Sequence, residues 1–238
     1  MERKKYVIAG GGSGIGLGLA RAALRQDAEV VLVGRSTERL QQAMAALDAG
    51  DRASAQAADV TDEAQVRALF ERVGAFDHLV SSVADVTYAP LREMVLADAR
   101  RIVESKLLSA MLLAKHGAGQ IRSGGSITFT SGIASQRPAP GGAMVAAVNG
   151  ALDALVRALA LELAPIRVNS VSPGWVDTPI WTRIAGDAKQ ERLARMAERL
   201  PVRRVGQPED IAQAMLALAG NGYITGTTLH VDGGHPLV

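Results

Sequence analysis

Short apolar, β-branched runs alternate along this chain with longer stretches of helical spacing. The runs fall at 6–9, 30–33, 78–80, 126–130 and 167–171, short enough to be buried strands. Between them, apolar residues recur every three or four positions over 15–25, 37–47, 63–73, 91–116, 143–163 and 208–219, which predicts amphipathic helices. Ser36 stands just before the second helical stretch, and Thr61-Asp62-Glu63 leads into the third, where short polar side chains can cap free N–H groups. Regular β-α alternation predicts an α/β fold: a parallel sheet with helices on both faces. One segment departs from the rhythm. Residues 180–200 are charged and helical, inserted between the sixth strand and the last helix. Ligands of such sheets lie beyond the carboxyl ends of the strands, so 179–207 is a candidate lid.

Composition narrows this picture. With 238 residues, 48% of them hydrophobic, the chain can fill one large core, and 1–238 reads as a single domain. Glycine (25 residues) and scarce aromatics (3%) suit helices packed closely on a sheet. The absence of cysteine excludes disulfides, thiolate nucleophiles and cysteine metal sites, and it fits a reducing, cytoplasmic setting. A net charge of +2, scattered along the chain, gives no footprint for nucleic acid or a membrane surface. Met1-Glu2-Arg3-Lys4-Lys5 begins like a signal peptide, but only four apolar residues follow before the glycines, too few for export. No run is expected to be long enough to span a bilayer.

The first chemistry-bearing motif is Gly10-Gly11-Gly12-Ser13-Gly14-Ile15-Gly16, after the first strand and opening the first helix. Glycine there permits a tight turn, close approach of backbone to a pyrophosphate, and helix-on-strand packing. A glycine run by itself is usually only a turn; its place in the first β-α unit makes it a dinucleotide-site candidate. The second strand ends in Val33-Gly34-Arg35-Ser36, with no carboxylate for a ribose 2′-hydroxyl. A guanidinium there favours a 2′-phosphate, and so NADP(H) over NAD(H).

Further along, Asp59-Val60-Thr61, Asn169-Ser170-Val171-Ser172-Pro173-Gly174-Trp175-Val176-Asp177-Thr178, Arg204-Val205-Gly206-Gln207-Pro208-Glu209-Asp210-Ile211-Ala212, and Ile224-Thr225-Gly226 through Asp232-Gly233-Gly234 follow in order. With the glycine loop, this set resembles the short-chain dehydrogenase/reductase family, in its single-domain form, over nearly the whole chain. The resemblance implies a Rossmann-type doubly wound parallel sheet binding a nicotinamide dinucleotide. It implies adenine contacts at Asp59 and Val60, a nicotinamide carboxamide held near Val176 and Thr178, and further cofactor contacts at Ser81, Asn149, Pro173 and Gly174. It also implies a homodimer or homotetramer assembled through the long fourth and fifth helices and the C-terminal strand.

Five departures lie at the centre of the family's active site. Its Asn-Asn-Ala-Gly segment is Ser81-Ser82-Val83-Ala84 here. Counting back from Asn149-Gly150-Ala151-Leu152, the family's lysine position holds Asn149 and its tyrosine position Val145; the serine position falls at Gly132, beside Ser131. The fourth-helix asparagine aligns with Lys106. A shift of register does not restore the set, because the tyrosines are Tyr6, Tyr88 and Tyr223 and the lysines lie at 4, 5, 106, 115 and 189. The family's tyrosine protonates the reduced oxygen with a pKa lowered from about 10 by the neighbouring ammonium, and such general acid catalysis is worth roughly 10²–10⁴-fold. Valine supplies none of it.

Lys106 is a candidate substitute acid, since a desolvated ammonium titrates nearer neutrality; the competing reading is a lysine snorkelling outward or pairing with Glu104 or Asp85. Ser131 is a second, weaker catalytic candidate, with Ser135 nearby. Tyr88 is expected to border the cavity or simply pack on the surface. His116 and His235 are expected outside the pocket, and no metal-ligand cluster is present. Trp175, Ile180 and Trp181 beside Arg183 suggest an apolar or aromatic ligand with some negative charge. Three functions stay open: an NADP(H)-dependent oxidoreductase of carbonyls or alcohols, a non-catalytic NADP(H)-binding protein, and a non-redox lyase or isomerase using the same pocket.

Overall fold

The computed structural model describes residues 3–238. Met1 and Glu2, part of the N-terminal reading, lie outside the described residues. The strands are β1 (Lys5–Ala9), β2 (Glu29–Gly34), β3 (Ala53–Ala57), β4 (Phe76–Ser81), β5 (Ile121–Thr130), β6 (Arg167–Pro173) and β7 (Thr228–Val231). They form one sheet in the order β3-β2-β1-β4-β5-β6-β7, every neighbouring pair parallel. The helices are α1 (Gly14–Arg25), α2 (Thr37–Leu47), α3 (Glu63–Val73), α4 (Leu96–Val103), α5 (Ser109–Gly117), α6 (Ala143–Glu162), α7 (Ile180–Ala185), α8 (Lys189–Arg199) and α9 (Pro208–Gly220).

Side-chain alternation along the strands divides the core into two layers. Along β1, Val7 and Ala9 join one cluster with Leu69 and Phe70 of α3, Leu113 of α5, and Leu152 and Val156 of α6. Tyr6 and Ile8 point the other way, onto Leu19 of α1, Leu40 of α2, and Ile211 and Met215 of α9. Both expected caps are present: Ser36 Oγ accepts from Arg39 N at 3.2 Å and Asp62 Oδ1 from Gln65 N at 3.1 Å. Strand order reverses between β1 and β4, which opens a crevice at their carboxyl ends.

The structure corrects the pattern in three places. The edge strands β3 and β7 carry no apolar run; at the sheet margin Ala-Ser-Ala-Gln-Ala and Thr-Leu-His-Val are only partly buried. The helix expected over 91–116 begins at Leu96 and is interrupted by a π-helical turn over Glu104–Leu108 before α5. Against the expectation that no run could span a bilayer, α6 is long and apolar enough by length and composition. In this fold one face of α6, Val148, Leu152, Val156 and Leu159, is buried, while Leu161 on the other side is exposed.

Candidate active site

The crevice between the β1 and β4 ends widens into one continuous cleft of about 1670 Å³, larger than the roughly 300–1,000 Å³ of an ordinary small-molecule pocket and roomy enough for a dinucleotide together with a second ligand. Its nucleotide end is built almost entirely from backbone. Gly10, Gly12, Ser13, Gly14 and Ile15 line it, and Ser13, the residue ahead of α1, makes no side-chain cap. The first-turn N–H groups of a twelve-residue helix thus face the cleft without a side-chain acceptor, the arrangement that receives a pyrophosphate. Gly16 does not line the cleft. A Cβ there would lie 2.3 Å from the Gly10 carbonyl oxygen, so this glycine lets the helix seat against the loop. The residues present fit a dinucleotide.

Arg35, Asp59, Val60, Asn149, Pro173, Gly174, Val176 and Thr178, the expected cofactor contacts beyond the glycine loop, all line the same cleft. Ser81 does not: it is buried at the end of β4, and Ser82, one residue on, takes the place at the wall. Arg39 also lines this end, in the first turn of α2 and four residues after Arg35, and the motif reading does not include it. Arg35 reaches across to Asp85 at 3.9 Å, and Asp85 also meets Arg101 at 3.5 Å and Arg183 at 2.8 Å.

The centre of the cleft holds the altered residues, and they are in contact. Lys106 Nζ donates to Asn149 Oδ1 at 2.5 Å and to the Ser131 carbonyl at 2.8 Å. Asn149 Nδ2 donates to the Gly132 carbonyl at 3.2 Å. A Cβ on Gly132 would stand 2.8 Å from that same Nδ2, so the absence of a side chain at 132 is what makes room for Asn149. The π turn explains how Lys106 arrives there: the Ser109 N–H reaches back five residues to the Glu104 carbonyl, and Ser109 Oγ takes up the Ser105 carbonyl at 2.6 Å. The extra residue in the turn rotates the side chains relative to a regular helix, and Lys106 ends 7% exposed, neither snorkelling nor paired with Glu104 or Asp85. Burial draws its ammonium down from 10.5 to about 8, with Asp153 pulling the other way. Three donors and two protein acceptors leave one N–H without a partner among the described residues.

Val145, 4% exposed, lines the cleft at the position that the resemblance gives to the family's tyrosine. The Ser131 hydroxyl donates to the Asn149 carbonyl at 3.3 Å rather than outward, and Ser135 is turned away to Asp153 at 3.2 Å. Tyr88 borders the cleft, half-exposed. His116 lies away from it, 2.9 Å from Glu63, but His235 lines it, contrary to expectation. The C-terminal glycine turn folds that histidine back over the cleft, a long-range placement with no local signal. Thr130, whose buried hydroxyl has no partner, was also missed. Among the described residues no group of histidine and carboxylate side chains could hold a metal ion.

Over the substrate end lie Pro179, Ile180, Trp181 and Arg183 with Arg192, Met196 and Arg199 of α8. Trp175 and Trp181 stack with ring centroids 4.2 Å apart. Arg183 is committed to Asp85.

A family model described as enoyl-(acyl carrier protein) reductase matches residues 9–235. The short-chain dehydrogenase/reductase ucsE of an Acremonium species is 34% identical, covering 98% of this chain and 96% of that protein. The cis-4-hydroxycyclohexanecarboxylate dehydrogenase of Sinomonas cyclohexanicum is also 34% identical, covering 98% and 96%. A crystal structure of a small-chain dehydrogenase in complex with NADPH superimposes with a TM-score of 0.85 at 34% identity, covering 100% of both chains. With its parallel sheet, its bare glycine cradle and these relatives along its whole length, the chain belongs to the short-chain dehydrogenase/reductase family.

Proposed function

We propose that this protein is an NADP(H)-dependent oxidoreductase that interconverts a carbonyl and an alcohol, with Lys106 supplying the proton that the family's tyrosine would give. The observation that carries the reading is the buried ammonium with one uncommitted N–H, set in the same cleft as an intact nucleotide cradle. NADPH-bound and alcohol-dehydrogenating relatives over the full chain support the cofactor and the reaction type.

When bound, NADPH supplies the hydride. The glycine loop and the α1 terminus hold the pyrophosphate, Arg35 and Arg39 the 2′-phosphate, Asp59 and Val60 the adenine, and Val176 and Thr178 the carboxamide. Asn149 fixes the Lys106 ammonium and presents its free N–H to the substrate oxygen. As that oxygen gains negative charge, Lys106 Nζ stabilises it and transfers one proton, leaving a neutral amine and an alcohol. Ser131, whose hydroxyl serves Asn149, has at most a supporting part. The exposed apolar side of α6 fits a homodimer or homotetramer.

The test begins with a fluorescence titration of NADPH, which is expected to bind more tightly than NADH; failure of both to bind overturns the reading. A carbonyl panel follows. Lys106→Met is expected to lower turnover roughly 10²–10⁴-fold, and an unchanged rate removes Lys106 from the chemistry. Because reduction needs the ammonium, the wild-type reductive rate should fall as pH rises through about 8. Val145 at the phenol position and an ammonium already held by two protein acceptors favour one second reading, an NADP(H)-binding protein without turnover. Tight NADPH binding with no reaction across the panel would select it, and conversion of substrate without NADPH consumption would select non-redox chemistry.

A further inference from the structure

We infer that the substrate end of the cleft is a carboxylate subsite formed by Arg137, Arg199 and His235, so that the substrate is a carboxylate-bearing carbonyl or alcohol with an apolar body lying along Trp175 and Trp181. This deepens the oxidoreductase reading and rests on it for the reacting group, while the anion site itself stands on separate observations. Three segments distant in sequence converge there. Arg137 follows Gln136, whose Nε2 is 2.8 Å from His230 Nε2 on β7. Arg199 precedes Leu200-Pro201-Val202, and the Gly233-Gly234 turn packs on that stretch so closely that a Cβ on either glycine would fall 2.7 Å from Val202 or Pro201. His235 follows directly, and all three side chains line the cleft.

Charge at this point is unbalanced. Neither Arg137 nor Arg199 has an ion-pair partner among the described residues, whereas Arg183, the anion candidate of the sequence, is held by Asp85 at 2.8 Å. His235 is 7% exposed and its Nδ1 is buried with no hydrogen-bond partner. The Asp232 carboxylate, whose charge reaches His235, accepts from Gly234 N at 2.9 Å. Burial first, then the two guanidiniums, hold the His235 imidazole below its usual 6.5, against the opposite pull of Asp232. Two guanidiniums beside an imidazole whose Nδ1 has no hydrogen-bond partner are complementary to a carboxylate, which a guanidinium binds through paired N–H donors. The stacked tryptophans give the same cleft an apolar wall.

The probes are 4-oxocyclohexanecarboxylate, its methyl ester and inorganic phosphate, titrated into NADPH-loaded protein. Binding is read by calorimetry and by emission of Trp175 and Trp181, the chain's two tryptophans. The carboxylate is expected to bind about tenfold or more tightly than the ester, and Arg137→Gln/Arg199→Gln to abolish that preference while NADPH affinity stays the same. Both arginines are exposed, so the variant should fold, as its melting curve would check. Arg195→Gln, on the same helix but paired with Glu191 and off the cleft, should change nothing. Equal binding of acid and ester, no saturable carboxylate binding, phosphate binding more tightly than the carboxylate, or a preference surviving the double substitution would each overturn the subsite. Carboxylate binding that depends on the arginines in a protein that does not bind NADPH would sink the oxidoreductase reading and leave the subsite standing.

Discussion

The two ends of the cleft are built on different principles. Around the glycine loop the ligand-facing surface is backbone, glycines and a helix terminus where a side chain is mostly an intrusion, with Arg35 and Arg39 beyond it. At the substrate end the surface is side chains drawn from six separate regions, Lys106, Ser131, Arg137, Asn149, Arg199 and His235 among them. A backbone-built site depends on what is absent, and each position acts alone. A side-chain-built site depends on partners, so its substitutions are coupled. Gly132, Asn149 and Lys106 illustrate this: the missing side chain at 132 admits the Asn149 amide, which in turn binds the ammonium.

Three experiments sharpen or break this contrast. The largest effect concerns the buried ammonium. Folded Lys106 titrates near 8, against 10.5 when unfolded. Between those values the unfolded chain holds a proton that the folded chain has released, so stability rises with pH across the window. Compared with Lys106→Met, the wild type should gain up to about 3 kcal/mol between pH 7.5 and 10.5 in urea denaturation; parallel pH curves would mean that the amine is not buried as described. Next comes the backbone end. Gly16→Ala puts a Cβ 2.3 Å from the Gly10 carbonyl oxygen and should cost about 1–3 kcal/mol along with NADPH affinity. Gly12→Ala, whose Cβ meets nothing nearer than 3.7 Å, should change stability by no more than about 0.5 kcal/mol. Similar losses at both glycines would contradict the close-approach argument. The smallest effect tests coupling. Gly132→Ser should destabilise by about 1 kcal/mol, and adding Asn149→Ala should recover part of that loss. Strictly additive values in the double-mutant cycle would show that the two positions are independent.

Legibility followed the same division. Central strands were visible because burial on both faces demands apolar runs; β3 and β7 were not, because edge strands bury less. Thirteen of the fifteen residues expected to contact the cofactor line the cleft, and the two that do not, Gly16 and Ser81, sit one layer behind it. Lys106 was recognised as displaced charge, but its partners were not. Glu104, two residues away, and Asp85, in the loop after β4, are the carboxylates the sequence offers, whereas a π turn aims the ammonium at Ser131 and Asn149. His235 was assigned outside the pocket because nothing local records that the C-terminal turn closes over it.

The sequence by itself determined the α/β alternation, the glycine cradle, the arginine at the second strand's end and the stretch from 89 to 222 that holds no tyrosine. Each is written in local residue types and spacings, which short-range sterics and hydrogen bonding read directly. Only the tertiary structure decided which charges are already partnered. It gave Arg183 to Asp85, joined Lys106 to Asn149, and left Arg137 and Arg199 lining the cleft with no ion-pair partner among the described residues. Electrostatic pairing depends on distances between segments far apart in the chain, and those distances exist only once the sheet has brought the segments together.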